Sequence, residues 1–211
     1  MDLYFAPLAC SMATHIAAYE ARCPLNFILV DLRSKRLPDG SDFLAVNPMG
    51  QVPVLKTATG AVLTENPVVL QFIADQHPES QLAPSGGMAR YRLQQWLSFV
   101  TSELHKAVFA PLLSPLSNAG AKEFARSLVP RRLQYLNAHL ESRTFLLDGF
   151  SVADCYLATV LNWTAFCDID LKTWPAVLGY FHSLRDRPSV ARALSEEIEL
   201  FQEEQKRRNA G

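Results

Sequence analysis

The chain has 211 residues, 49% of them hydrophobic and 19% charged, and its 20 basic and 21 acidic side chains leave a net charge of −1. Disorder needs low hydrophobicity with high net charge, and bulk attraction to nucleic acid needs an excess of Lys and Arg, so both are excluded. No apolar run reaches the roughly 18 residues of a membrane span, and Met1-Asp2-Leu3-Tyr4-Phe5 lacks the basic start of a secretory signal. The expected location is the cytoplasm, with neither nucleic acid nor membrane as a partner.

In chain order, Leu3 to Phe5 reads as a strand, Ser11 to Arg22 as a helix and Phe27 to Asp31 as a second strand. A polar stretch from Arg33 to Ser41 and a short helical turn near Asp42 to Val46 follow. Val54 to Thr57 and Ala61 to Thr64 then form a hairpin about Ala58-Thr59-Gly60. Asn66 as N-cap and Pro67 at the first helical position introduce an apolar helix through Val68, Val69, Phe72 and Ile73. The order is β-α-β-α-β-β-α over residues 1–76. Residues 77–87 contain two prolines and two glycines and read as a linker.

From residue 88 to 211 no strand pattern appears. Trp96, Phe99, Val100 and Leu104 have helical spacing, and Phe150-Ser151-Val152-Ala153-Asp154 is an Asp variant of the capping box. Pro130 interrupts a helical pattern between Lys122 and Leu140, which leaves two helices or one kinked helix open. The tail from Ser195 places Glu196, Glu197 and Glu199 before Lys206, Arg207 and Arg208, as in a solvated terminal helix.

Four cysteines, Cys10, Cys23, Cys155 and Cys167, form no CxxC pair and no zinc-like cluster, so neither disulfide nor metal is expected. Cys10 lies where a helix begins, and the unpaired backbone N–H groups of a helix start favour a thiolate; the alternative is a small buried residue. Ala13, three residues on, cannot resolve a disulfide. In Asn47-Pro48-Met49-Gly50-Gln51-Val52-Pro53, a cis Val52-Pro53 bond would offer the Val52 backbone to an extended peptide; an ordinary trans proline at a strand start is the other reading. Leu63-Thr64-Glu65-Asn66-Pro67 sets a carboxylate beside a helix start, which makes either an α-amino-acid clamp or a plain cap. His105 shares a helical stripe with Leu97, Thr101, Val108 and Leu112, where a core histidine and a group acting on a thiol are both open. Lys35, with Arg33 and Arg36, could meet an anion or be simply solvated.

Taken in register, Tyr4-Phe5-Ala6-Pro7-Leu8-Ala9-Cys10-Ser11, the 47–53 segment, Leu63-Thr64-Glu65, Glu103-Leu104-His105-Lys106 and the 150–154 segment resemble the glutathione S-transferases, specifically the bacterial beta class. The resemblance implies a thioredoxin-like N-terminal domain (1–76), a linker (77–87) and an all-helical C-terminal domain (88–211). It also implies a homodimer, with glutathione as co-substrate, no other cofactor, and a small hydrophobic electrophile. Carried over by position, Cys10 and His105 become the sulfur-side groups, and Val52 pairs with the cysteinyl backbone. Glu65 and Asn66 hold the γ-glutamyl end and Lys35 the glycyl end, while Ser11, Gln51, Pro53 and Ser98 complete the set. Asn66 is large for its position, Pro67 removes one N–H from the helix start, and Ser98 stands where some relatives have asparagine. The activity implied is conjugation of the glutathione thiolate in detoxification. A glutathione-dependent thiol transferase or peroxidase working through a Cys10 mixed disulfide is the redox alternative, and a non-enzymatic binding protein is the third.

Overall fold

The computed structural model describes residues 1–210, the last two as backbone alone. Two compact units are resolved: Met1–Leu82 together with the C-terminal helix, and Ala83–Arg187. The break between Leu82 and Ala83 falls inside the 77–87 stretch. The terminal helix packs with the first unit, where the sequence had grouped it with residues 88–211.

In the first unit, β1 (Asp2–Phe5), α1 (Met12–Glu20), β2 (Asn26–Leu29), β3 (Val54–Lys56), β4 (Val62–Leu63) and α2 (Asn66–Gln76) follow in order, with a 3-10 turn at Phe43–Ala45 where the short helical turn was expected. The sheet order is β2-β1-β3-β4. β1 pairs parallel with β2, while β3 runs antiparallel to both β1 and β4. The hairpin between β3 and β4 closes with Gly60 at φ 86°, a left-handed conformation that favours glycine. On one side of the sheet Tyr4, Val30, Phe43, Val52 and Val54 form an apolar cluster. Residues 12–18 of α1 are all buried, and α1 packs against both α2 and α8 (Pro188–Ala210).

The second unit is helical. It comprises α3 (Gly87–Phe99), a π-helical stretch (Val100–Phe109), α4 (Ala110–Leu113), α5 (Ala119–Leu140), α6 (Val152–Asn162) and α7 (Pro175–Arg185). Pro130 does not divide α5, which runs unbroken through it. The ring lies on the exposed face, where water can satisfy the carbonyl left without a donor. Every residue of α6 from Val152 to Leu161 is buried. Its start is anchored by Asp154: Oδ2 accepts from the Ser151 N–H (2.8 Å) and hydroxyl (2.7 Å), and Oδ1 from the Leu146 N–H (2.9 Å) and the Tyr180 hydroxyl (2.7 Å). Burial raises the Asp154 carboxyl, and these four donors oppose that rise.

Candidate active site

The turn between β1 and α1 presents Cys10. Leu8 takes a left-handed φ of 57° within it, and Ser11 closes it from inside. Ser11 is fully buried; its hydroxyl accepts from the Ala6 N–H and donates to the Ala6 carbonyl, both at 3.2 Å. The Ser11 side chain therefore shapes the turn.

Cys10 is half-buried, and its thiol donates to the Val52 carbonyl at 3.1 Å. The contact ties the β1–α1 turn to the loop that carries Val52. The Val52-Pro53 bond is cis. Asn47 folds the loop before it, its carbonyl oxygen accepting from the Met49 N–H (3.1 Å) and its amide donating to the Gln51 carbonyl (2.8 Å). Gln51 itself is exposed. The half-buried Lys35 ammonium donates to the Gly50 carbonyl at 2.8 Å. Gly50 has φ 60°, a left-handed conformation that favours glycine, and an added Cβ there would press on the Leu44 and Lys35 side chains at 3.0 and 3.1 Å.

Glu65 is the N-cap of α2 and is exposed, with φ 66° and ψ 121°. A left-handed φ on a side chain other than glycine stores strain of the kind found at functional sites. Asn66 was expected to cap this helix; instead it is the first helical residue, because its side chain is engaged elsewhere. It is buried, and its Nδ2 donates to the Cys10 carbonyl at 3.1 Å. A carbonyl can only accept, which fixes the amide orientation and leaves Asn66 Oδ1 as a buried oxygen without a partner. Lys35, the 50–53 backbone, Cys10, Asn66 and Glu65 thus form one linked series in the first unit.

Ser98 and His105 belong to the helical unit. Ser98 is exposed and lines a cleft of about 520 Å³ with Trp96, Glu103, Arg132 and Tyr135. Glu103 pairs with Arg132 at 2.8 Å. His105 lies in the π-helical stretch, a wider turn that recurs at functional sites. Its Nδ1 is 2.6 Å from the Tyr156 hydroxyl, and the Trp163 ring meets it edge-on at 5.0 Å between centroids. Burial, then the neighbouring Lys106 charge, lowers the imidazole to about 4, so the ring is neutral at pH 7. Among the described residues no cluster of three or more His, Cys, Asp or Glu could hold a metal, and no helix is long and apolar enough to cross a membrane.

A family model described as glutathione S-transferase, N-terminal domain, matches residues 9–76, and one described as glutathione S-transferase, C-terminal domain, matches residues 100–191. The chain belongs to the glutathione S-transferase family. It is 38% identical to glutathione S-transferase GstA of Escherichia coli O157:H7 over 93% of its length and 98% of that protein's. A sphingomonad glutathione S-transferase solved with glutathione is 44% identical, with a TM-score of 0.89 over 93% of this chain and 98% of the other. A bacterial beta class glutathione S-transferase of Sphingomonas chungbukensis is 43% identical with the same TM-score and the same coverage. The thioredoxin-like sheet unit and the all-helical unit are those of this family, and its members are transferases.

Three residues that support the transferase's candidate site carried no signal in the sequence. Glu197, in the tail expected to be solvated, is fully buried. Its Oε2 accepts from the Leu8 N–H at 2.6 Å, and its Oε1 lies 2.6 Å from Nδ1 of His15, which is itself buried. The Cys10 turn is thus braced from α8, 189 positions away in sequence. The neighbouring Glu196 instead takes the Tyr19 hydroxyl and Arg192. Tyr156, the third, was hidden among the apolar residues of α6. Asn47, by contrast, was legible within the 47–53 motif.

Proposed function

We propose that this transferase binds glutathione along the series from Lys35 to Glu65 and conjugates its thiolate to small apolar electrophiles. The observation that carries the reading is the orphaned Asn66 Oδ1. A buried acceptor without a donor costs free energy unless a ligand supplies one, and the α-ammonium of a γ-glutamyl group is such a donor. Glu65, strained and exposed beside it, adds the charge that an ammonium requires. Val52 offers the cysteinyl unit its backbone, and its carbonyl retains a second lone pair beyond the Cys10 bond. Lys35 takes the glycyl carboxylate, Gln51, Pro53 and Ser98 complete the contacts, and Ser11 supports them from beneath. Cys10 and His105 are the sulfur-side groups. The enzyme works as a cytoplasmic homodimer in detoxification, with glutathione as co-substrate and no further cofactor.

Calorimetric titration tests the clamp. Asn66→Ala should weaken glutathione binding roughly tenfold or more, as expected for one hydrogen bond to a charged group. The same variant should bind the deaminated analogue, glutaryl-cysteinylglycine, as tightly as the unaltered enzyme does. Equal losses for both ligands, or no glutathione binding and no conjugation by the unaltered protein, would overturn the reading.

A further inference from the structure

Tyr156 is 1% exposed and stands on α6, a helix buried along Val152–Leu161 and anchored two residues earlier by Asp154. Its hydroxyl lies 2.6 Å from His105 Nδ1, while Trp163 holds the edge of the same imidazole ring. Such a contact can form with the proton on either side. A phenol hydroxyl is a far better donor than a neutral imidazole N–H, and an imidazole nitrogen is a far better acceptor than a phenol oxygen. The proton therefore belongs to the phenol, and Nδ1 accepts. A neutral imidazole that accepts at Nδ1 carries its own proton at Nε2.

We propose that Tyr156 is a positioning residue that holds His105 as the neutral Nε2–H tautomer, so that His105 meets the glutathione sulfur as a hydrogen-bond donor and not as a general base. The inference rests on the assignment of His105 to the sulfur of bound glutathione. No proton is transferred to His105 in this role; the thiol proton leaves to solvent and the Nε2–H stabilises the thiolate that remains. The charged neighbour, Lys106, lies on the same helical stretch and favours the neutral ring. The π-helical turn and the Tyr156 hydroxyl together set where the second ring nitrogen points.

The tautomer is read directly from nitrogen-15 shifts of the histidine ring in the full-length, ligand-free protein, with His105→Gln used to assign the signals. Near neutral pH, Nδ1 should be unprotonated and Nε2 protonated; a proton on Nδ1 would overturn the proposal. Tyr156→Phe should populate both tautomers. It should also raise the titration midpoint of the bound glutathione thiol by about one pH unit, so that thiolate and turnover fall roughly tenfold near neutrality, as expected for one lost hydrogen bond. The KM for glutathione should not change, and turnover should recover as pH rises. In a His105→Gln background, Tyr156→Phe should shift the thiol titration no further. An equal further shift, or no shift in either background, would show that Tyr156 does not act through His105. Failure of the unaltered protein to bind glutathione would instead remove the proposed function and, with it, the role at the sulfur, while the ligand-free tautomer would still decide whether Tyr156 orders the ring.

Discussion

In the sheet-bearing unit the groups assigned to glutathione are tied to main-chain carbonyls: the Cys10 thiol to Val52, the Asn66 amide to Cys10, and the Lys35 ammonium to Gly50. In the helical unit the corresponding bonds run between side chains, the half-buried His105 with the buried Tyr156, and the buried Asp154 with the buried Ser151 and Tyr180. The difference has an energetic consequence. A main-chain acceptor remains in place whatever side chains surround it, so replacing a donor in the first unit should alter ligand contacts more than the fold. In the second unit, removing His105 or Asp154 leaves its partner buried and unsatisfied, which is the costly case.

The sharpest test of this contrast is Asp154→Ala. The carboxylate accepts four hydrogen bonds in a fully buried position, and its loss strands Leu146, Ser151 and Tyr180 donors together. Urea unfolding should show a loss of about 4 to 5 kcal/mol, in the range of a broken buried polar network. Asp154→Asn keeps an acceptor oxygen and should lose about half as much. A loss below about 1 kcal/mol for the alanine variant would mean that the side-chain network does not hold the helical unit.

Glu197 is where the contrast should break, because it is a buried carboxylate in the sheet-bearing unit. Glu197→Ala removes the acceptor of the Leu8 N–H and the partner of His15, and should cost about 3 kcal/mol in the same assay. Glu197→Gln retains an oxygen for Leu8 and should cost less. If Glu197→Ala instead costs no more than an exposed substitution, the Cys10 turn is held by its own short-range bonds through Ser11 and not by α8.

These two carboxylates also mark the boundary of what the sequence discloses. Asp154 was legible because its decisive bonds reach three residues back to Ser151, so the capping pattern contains donor and acceptor together. The 47–53 and 63–67 segments were legible for the same reason: each groups the residues that shape one turn. Glu197 was not, since nothing in a run of glutamates says which one faces α1, and its partners Leu8 and His15 are at the far end of the chain. Asn66 was half legible. Its place at the helix start was foreseen, but its use as a donor to Cys10, which moves the cap to Glu65, depends on a contact 56 positions away. The His105 stripe was read with a period of 3.6, whereas Val100–Phe109 is π-helical, a change of register that no residue type announces.

The smallest of the expected stability effects concerns His105 and is read from pH. Burial holds its imidazole at about 4 in the folded protein, below the ordinary value of 6.5. Between those values the unfolded chain binds a proton that the folded chain refuses. The contribution is therefore fully present above about pH 6.5, declines as pH falls toward the folded value, and levels off below it. Integrated over that interval at about 1.36 kcal/mol per pH unit, and discounted because the ring is only partly buried, the decline is roughly 2 to 3 kcal/mol. Urea midpoints measured for the unaltered enzyme and for His105→Gln should converge as pH is lowered from 7 to 4, because glutamine has no proton to refuse. Parallel curves would show that the imidazole reaches water freely enough to titrate normally. A normally titrating ring would be charged in part at pH 6, and the neutral donor proposed for His105 would then give way to an imidazolium.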